Sequence, residues 1–583
     1  MDKKEVAAIL DEIGTLLELK GENPFKSRAY SAGARAVEAL DEDLLTVIKE
    51  NRLREIKGIG EGLAQKISEL VSTGHLLYYE ELKKELPESL RKMLRIPGLG
   101  PKKIKLLYDQ LGIKSIGELE YACIENRLIE LPGFGEKSQQ KVLQGIGFLR
   151  KYQNQFLYST AITAAEPIFT SLSKLKQVTR ASLAGSLRRK KELVKDIDIV
   201  VSTPDSAAVM DYFTAHSQAE SIIAKGDTKS SIITAAGIQV DVRTVSDREF
   251  PYALHHFTGS KEHNIAMRGR AIQMGLKMNE YGLFKGKKLV PCKDEEEIFK
   301  SLKLDYIPPE LREDRGEIQA AEKYQLPRLI EGCDIRGTFH AHTTHSDGTC
   351  SLKELASAAR ELGYNYLGIT EHSQSAHYAR GLTPYLLETL FREIDEVNRE
   401  LKGFRLLKGT EADILADGTL DYEDCVLAQC DFVIASVHSH FTQSREEMTS
   451  RITRALKNPF VTMLGHPTGR LLLSREPYAV DMLQVIDAAA DAGVAIEINA
   501  HPLRLDLDWR LCQHAKTKGV KVAINPDAHN AEGLRDVLFG VNVARKGSLE
   551  PEDVLNAMTV NEISSFLEQR KNRAQEILRR QKR

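Results

Sequence analysis

The chain has seven cysteines in 583 residues, and no two of them form a C-x-x-C pair. That absence argues against a zinc finger and against a disulfide scaffold. Reduced thiols in a cytoplasmic protein are the simplest reading. Charge of one sign is also lacking: 81 Lys and Arg stand against 83 Asp and Glu, a formal net charge of -2. No global field draws such a chain to nucleic acid, so any such binding must use local patches. No apolar run is long enough to span a bilayer, and M-D-K-K-E-V-A-A-I-L carries no signal-peptide core, so no membrane partner is expected. Tryptophan is nearly absent, with Trp509 alone. The length excludes a single core and predicts about three to five domains. Histidine is present but uneven, with 11 of 16 beyond residue 335. That asymmetry predicts a separate metal-rich domain.

Residues 1–50 show helical apolar spacing. A short pattern then recurs three times: Ile56-x-Gly58-Ile59-Gly60, Ile96-Pro97-Gly98-Leu99-Gly100 and Leu131-Pro132-Gly133-Phe134-Gly135. Each copy has an aliphatic residue nine beyond its first glycine (Ile67, Leu107, Val142). Glycines allow a tight turn and close backbone approach, and the next helix offers free N–H groups to a phosphate. No strand precedes the glycines, which argues against a Rossmann loop, and no Walker A ending follows. One copy reads equally well as a plain turn between helices; three in phase resemble the helix-hairpin-helix motif, which grips DNA phosphates without reading sequence. Nearby lysines (Lys102, Lys103, Lys105, Lys137, Lys141) would add counterion release.

The stretch Leu183 to Val201 brings a Gly-Ser pair and two arginines up to Asp196 and Asp198. Strand alternation places these two carboxylates on one face and turns Ile197 and Ile199 inward. Read alone, D-x-D is a surface strand with solvated acids. A second alternating strand, I-Q-V-D-V-R-T-V, adds Asp241. Three carboxylates on two strands suit a two-metal site that holds substrate phosphates.

With H-H-F-T-G-S-K-E-H-N-I-A-M-R at 255–268, residues 1 to about 315 resemble a family X DNA polymerase of the DNA polymerase beta group. The resemblance implies that Asp196, Asp198 and Asp241 ligate two Mg²⁺ ions, which activate the primer 3′-hydroxyl and clamp the triphosphate. It implies phosphate contacts at Ser186 and Arg189, a dNTP pocket at Phe257, Gly259 and Asn264, and a template-side contact at Arg268. Gly58, Gly60, Gly98, Gly100, Gly133 and Gly135 become DNA contacts. Lys66, with Lys26 and Tyr30 near it, falls where the family has the Schiff-base lysine of a 5′-deoxyribose phosphate lyase. Two departures stand out. His256 replaces a common Tyr beside the sugar pocket, and Gln239 replaces an Arg that often precedes the third Asp by two.

Beyond residue 335, seven short apolar strands alternate with amphipathic helices and end in ligand-capable residues: T-F-H-A-H, L-G-I-T-E-H, L-L-K-G-T-E, V-I-A-S-V-H, T-M-L-G-H-P, A-I-E-I-N-A and A-I-N-P-D-A-H. The rhythm predicts a parallel barrel with the site at the strands' C-terminal ends. Candidate ligands are His340, His342, Asp347, His372, Glu411, His438, His466, Asp527 and His529. Mixed imidazole and carboxylate donors suit Zn²⁺, Mn²⁺ or Fe²⁺. This segment resembles the PHP (polymerase and histidinol phosphatase) domain, a (β/α)7 barrel with a trinuclear site of Mn²⁺ or Zn²⁺. The resemblance assigns one metal to His340, His342, Glu411 and Asp527. It assigns a second to Asp347, His372 and His529, and a third to His438 and His466 with Glu411 bridging. It implies a manganese-dependent 3′–5′ exonuclease, and cleavage at abasic sites in some members.

The expected fold is therefore multidomain, α+β and α/β. Residues 1–85 form a lyase-like helical domain, 86–155 helix-hairpin-helix fingers, 156–247 a nucleotidyltransferase palm and 248–315 a small thumb. A linker (316–334), the PHP barrel (335–570) and a basic tail (571–583) follow. Leu567 to Arg583 is a charged helical pattern that reads as a frayed, solvated end rather than a DNA contact. The expected activity is monomeric gap-filling DNA synthesis on gapped or primer-template DNA with dNTPs, in DNA repair. A competing reading is a PHP phosphoesterase tethered to DNA by a non-catalytic first half, which leaves the three aspartates without a task. A non-catalytic DNA-end scaffold would leave both ligand sets unexplained.

Overall fold

The computed structural model describes residues 1–583 apart from 2, 41, 43, 125, 126, 130, 152, 153, 582 and 583. Two compact units divide the chain, Met1–Gln153 and Asn154–Arg583.

The described elements of the first unit are all helical, and one apolar cluster runs through it from Val6 to Ile146. Residues 1–85 and 86–153 thus share a core rather than keeping two. The three glycine repeats fold alike. Gly58, Gly98 and Gly133 take φ of 102°, 82° and 80°, the left-handed region that a side chain disfavours. In each, the amide of Ile59, Leu99 or Phe134 donates to the carbonyl three residues back (3.0 Å). The aliphatics nine beyond, Ile67, Leu107 and Val142, are buried and pin the following helix to the core.

The second unit opens with the short strand Phe156–Leu157 and a helix, Tyr158–Ser173, which shares its core with a five-stranded sheet. Its spatial order is Arg180–Leu183, Asp196–Ser202, Gln239–Val245, Lys229–Thr234, Ala219–Lys225. Only the central pair, Asp196–Ser202 with Gln239–Val245, is parallel. Its register sets Asp198 beside Asp241. Ile197, Ile199, Val240 and Val242 point the other way into the core.

Helices Phe250–Thr258 and Lys261–Gln273 and the small sheet Lys277–Val290 follow. The stretch expected as a linker carries a helix, Glu317–Glu322, whose Ile318 and Ala321 join the same core as Tyr252 and Phe299. Glu295 ties this region together: it accepts from Arg188 Nη2 (2.6 Å) and from Arg312, which is wholly buried. Burial raises the carboxyl's pKa, but Arg312 and then Arg188 outweigh that and hold it at about 2.

Seven parallel strands then follow in spatial order identical to chain order, from Gly337–Thr338 to Val522–Asn525. Backbone bonds His342 N to Ala528 O (2.8 Å) and Ala528 N to His340 O (3.1 Å) join the last strand to the first and close the barrel. Phe339, Tyr366 and Phe432 fill its lower interior, and a side chain on Gly368 or Gly409 would collide with Phe432. The helix Val560–Gln581 plugs that end with Ile563 and Leu567. This corrects the expectation of a frayed tail. Arg570 donates to Val461 O (2.7 Å) and to Gly493 O, so part of the charge is bound to backbone. Residues 582 and 583 of the basic end lie outside the described residues.

The barrel and the five-stranded region share a buried ion network. Lys546 of the helix Val537–Lys546 is 3% exposed and donates to Glu313 Oε1 (2.5 Å) and the Arg189 carbonyl (3.2 Å).

Candidate active sites

At the five-stranded sheet, Asp196 and Asp198 share the face predicted by alternation, with Asp241 across the parallel pair. Gly185 has φ +60°, and a Cβ there would overlap Asp198 Oδ2. The turn can therefore lie against this carboxylate only because it is glycine. Ser186 stands in the same short helix, Gly185–Arg188, and Ala184 N donates to the Asp198 carbonyl (2.8 Å). Burial, then the charges of Asp196 and Asp241, pushes the Asp198 carboxyl up to about 7. Burial and then Asp241 raise Asp196 as well. Asp241 goes the other way. Burial opposes its ionisation, yet hydrogen bonds from Lys229, Gln239 and Ser231 hold it below the usual range. Lys229 Nζ lies 2.6 Å from Oδ2, and Gln239 Nε2 donates to Oδ1 (2.8 Å). The residue that replaces an arginine thus still orients Asp241, while Lys229 supplies the cation. Sequence reading missed Lys229, which pairs through the antiparallel neighbour strand and has no motif of its own.

Arg189, expected at phosphate, has Nε on Glu313 (3.0 Å) and Nη1 on the Thr258 carbonyl (2.7 Å). Arg188 donates to Thr258 Oγ1 (2.7 Å). Both arginines therefore fasten the Gly-Ser turn to the F-T-G-S segment. There, Arg243 stacks on Phe257 (4.5 Å) and His256 meets the same ring edge-on (4.9 Å). Asn264 Nδ2 donates to the carbonyls of His256 (2.8 Å) and Gly259 (3.2 Å). A Cβ on Gly259 would come within 2.8 Å of Asn264 Oδ1. Arg268 Nη2 lies 3.1 Å from His256 Nδ1. Burial lowers the His256 pKa, which favours the neutral ring that accepts this bond.

In the helical unit, Lys66 and Lys26 place their ammonium groups 5.1 and 5.4 Å from the centre of the Tyr78 ring. Tyr30 stacks on Tyr78 at 6.2 Å. Gly60, Gly100 and Gly135 have nothing within 4 Å of an added Cβ, so no internal packing demands glycine there. Gly60 and Gly100 cap the helices Glu61–Thr73 and Pro101–Leu111. The Gly135 amide is already engaged by Ser138 Oγ (2.7 Å).

At the barrel mouth the nine candidates converge. His340 Nε2 lies 3.4 Å from Glu411 Oε2 and 3.5 Å from Asp527 Oδ1, with His342 Nε2 3.3 Å from the latter. His372 Nε2 and His529 Nε2 flank Asp347 Oδ2 at 3.5 and 3.3 Å. His438 and His466 both direct Nε2 to Glu411 Oε1, at 3.2 and 3.0 Å. Among the described residues, the His, Asp and Glu groups whose ligand atoms gather within 4.8 Å all lie here. His340 Nε2, both His342 nitrogens and Glu411 Oε2 are buried with no hydrogen-bond partner. Such a donor set is costly unless it faces cations, so these residues fit divalent metal. Burial, then the neighbouring His372, lowers His342 to about 3, which keeps it a neutral ligand. Burial opposes ionisation of Glu411, but His438, His340 and His372 hold it well below the carboxylate range.

Two residues missed by sequence reading orient these ligands. Glu497 Oε1 lies 2.7 Å from His340 Nδ1, and Asp413 Oδ1 2.6 Å from His438 Nδ1. Each fixes a ring so that Nε2 faces the cluster. Asp413 stands two residues after Glu411 on one strand, a same-face spacing that could have exposed it. Glu497 is an acid set between two isoleucines in the strand A-I-E-I-N.

The chain is similar to known proteins over almost its whole length. The chain is 41% identical over 571 residues to the DNA polymerase/3′-5′ exonuclease PolX of Bacillus subtilis, covering 97% of this chain and 99% of that protein. Over 245 residues it is also 27% identical to a probable phosphatase of Thermoanaerobacter sp., covering 40% of this chain and 95% of that protein. It is 31% identical over 201 residues to one of Clostridium acetobutylicum, covering 33% of this chain and 78% of that protein. Family models match a helix-hairpin-helix domain at 1–76, a SAM-like helix-hairpin-helix tandem at 90–147, a DNA polymerase beta thumb at 253–313 and a PHP domain at 338–501. The chain therefore belongs to the PolX family, the family X DNA polymerases that carry a C-terminal PHP domain.

Proposed function

We propose that this protein is a DNA-directed DNA polymerase that fills short gaps during DNA repair in the cytoplasm and also degrades 3′ ends in its PHP barrel. The observation that carries the reading is the register of Asp198 against Asp241, with Asp196 on the same face. A DNA tether needs none of these carboxylates, which disfavours the phosphoesterase-only reading. Bound Mg²⁺ at the aspartates, and Mn²⁺ or Zn²⁺ in the barrel, would supply the charge that activates the attacking hydroxyl and neutralises phosphate. The protein's own part is placement. Gly185 lets Asp198 meet the turn, Lys229 and Gln239 hold Asp241, and Arg243 steadies Phe257 under the incoming base. In the barrel, Glu497 and Asp413 orient His340 and His438 toward a phosphodiester.

Wild-type protein with Mg²⁺ and dNTPs is expected to extend the primer across a one-nucleotide gap, and Asp198→Ala to extend none. Failure of the wild type to incorporate any nucleotide would refute the polymerase reading. We also assign Lys66 the Schiff-base role, on the strength of its position with Lys26 beside Tyr78. Borohydride should trap the wild type, and not Lys66→Ala, on DNA with a 5′-deoxyribose phosphate. Equal trapping of both would remove that assignment.

A further inference from the structure

Over the barrel's metal ligands hangs an aromatic ring that the fold does not use. Tyr378 is 70% exposed, yet its ring centre lies 6.1 Å from that of His372 and 6.3 Å from that of His438. Its hydroxyl has no hydrogen-bond partner among the described residues. An exposed tyrosine is ordinary on a loose loop. This loop is not loose. Leu382 N donates to the His372 carbonyl (2.8 Å) and Ser373 N to the Glu411 carbonyl (3.0 Å), which closes the loop at its base. Ser375 donates through N to Asp421 Oδ2 (2.9 Å) and through Oγ to Asp413 Oδ2 (2.8 Å). Ala376 and Ala379, on either side of the ring, are buried. A Cβ on Gly381 would overlap the Ser373 carbonyl, so the turn is drawn tight.

The chain thus fixes a π face beside the ligand cluster and leaves it open to solvent. A cation marks another side of the same mouth. Arg504 Nε lies 3.7 Å from Asp527 Oδ2, and its charge bears on both His466 and the Tyr378 hydroxyl. A phosphodiester drawn to Arg504 and the cluster would leave its attached nucleoside near Tyr378. Every base has a π face, so an aromatic platform binds any of them without reading sequence.

We propose that Tyr378 is the stacking platform for the terminal base of a single-stranded 3′ end, and that it makes the barrel select nucleotides over phosphate esters without a base. The inference rests on the exonuclease reading above. It predicts a preference for base-bearing ends that is similar for all four bases.

The test uses the full-length protein with Mn²⁺ and two oligonucleotides. One ends in an ordinary 3′ nucleotide, the other in the same sugar phosphate without a base. Wild type should remove the first about tenfold or more faster in kcat/KM, the scale of one base–aromatic stack. Y378A should bring that ratio close to one, and Y378F should restore it, with thermal midpoints matching wild type because the ring is exposed. A ratio in Y378A equal to that of the wild type, whether both rates fall or neither does, would overturn the proposal. So would the same loss of ratio in Y378F. Should wild type remove neither end, the exonuclease reading itself fails, and this inference with it.

Discussion

Gly185 sets where Asp198 can lie, because its φ is +60° and any side chain would overlap the carboxylate. Gly185→Ala is therefore expected to slow nucleotide incorporation by about 10²-fold, the cost of displacing a reacting group by roughly an ångström. Exonuclease rate on the same preparation should stay at wild-type level, since the histidine and carboxylate cluster of the barrel includes no residue of this turn. Glu295 gives a second expectation at this scale. Its folded pKa of about 2 lies below its ordinary 4.5. Its contribution is therefore present above pH 4.5 and lost as pH falls toward 2, about 3 kcal/mol in all. Urea unfolding of wild type and Glu295→Gln at pH 6 and pH 3 checks the sign: the gap between them should narrow at the lower pH. Most candidate site residues stood out in the sequence because acids and histidines ended expected strands. Lys229, Glu497 and Asp413 did not all do so, because a residue that orients a ligand has no fixed spacing from it. Asp413 alone, two after Glu411, carried a readable sign.

At the scale of elements, three hairpins share one turn but not one amide environment. Gly60 and Gly100 have open space around Cβ and ordinary φ, so alanine fits there. Their replacement should change stability by under about 1 kcal/mol and weaken gapped-DNA binding about fivefold each, the loss of close backbone approach to a phosphate. Gly135→Ala should do less, because Ser138 already occupies its amide. Fluorescence anisotropy at several salt concentrations tests this. The salt slope should hold, since no charge is removed. These hairpins were readable from glycine spacing, and the barrel strands from short apolar runs that end in ligand-capable residues. The helical pattern of the C-terminal stretch was readable, but its packing was not, because its apolar residues, Ile563, Leu567 and Ala574, are diluted among charges. Its role as a plug depends on a barrel interior that sequence does not display.

For the whole molecule, the order of parts was legible: helical repeats, sheet, then barrel. What sequence withheld is how closely the sheet region and the barrel are bound. Lys546 reaches from the barrel to Glu313 and to the Arg189 carbonyl, and Arg189 holds the F-T-G-S segment through Thr258. The two Lys546 contacts join residues more than two hundred positions apart and have no local pattern. Yet the candidate ligand sets of the two sites share no residue, so one chain should carry two separable chemistries. Gapped DNA and 3′-mismatched DNA, incubated with wild type, Asp198→Ala and His340→Ala in Mg²⁺ and in Mn²⁺, test it most directly. Asp198→Ala should stop synthesis and still degrade the mismatched end, and His340→Ala should stop degradation and still fill the gap. Loss of both activities in either variant would contradict that separation.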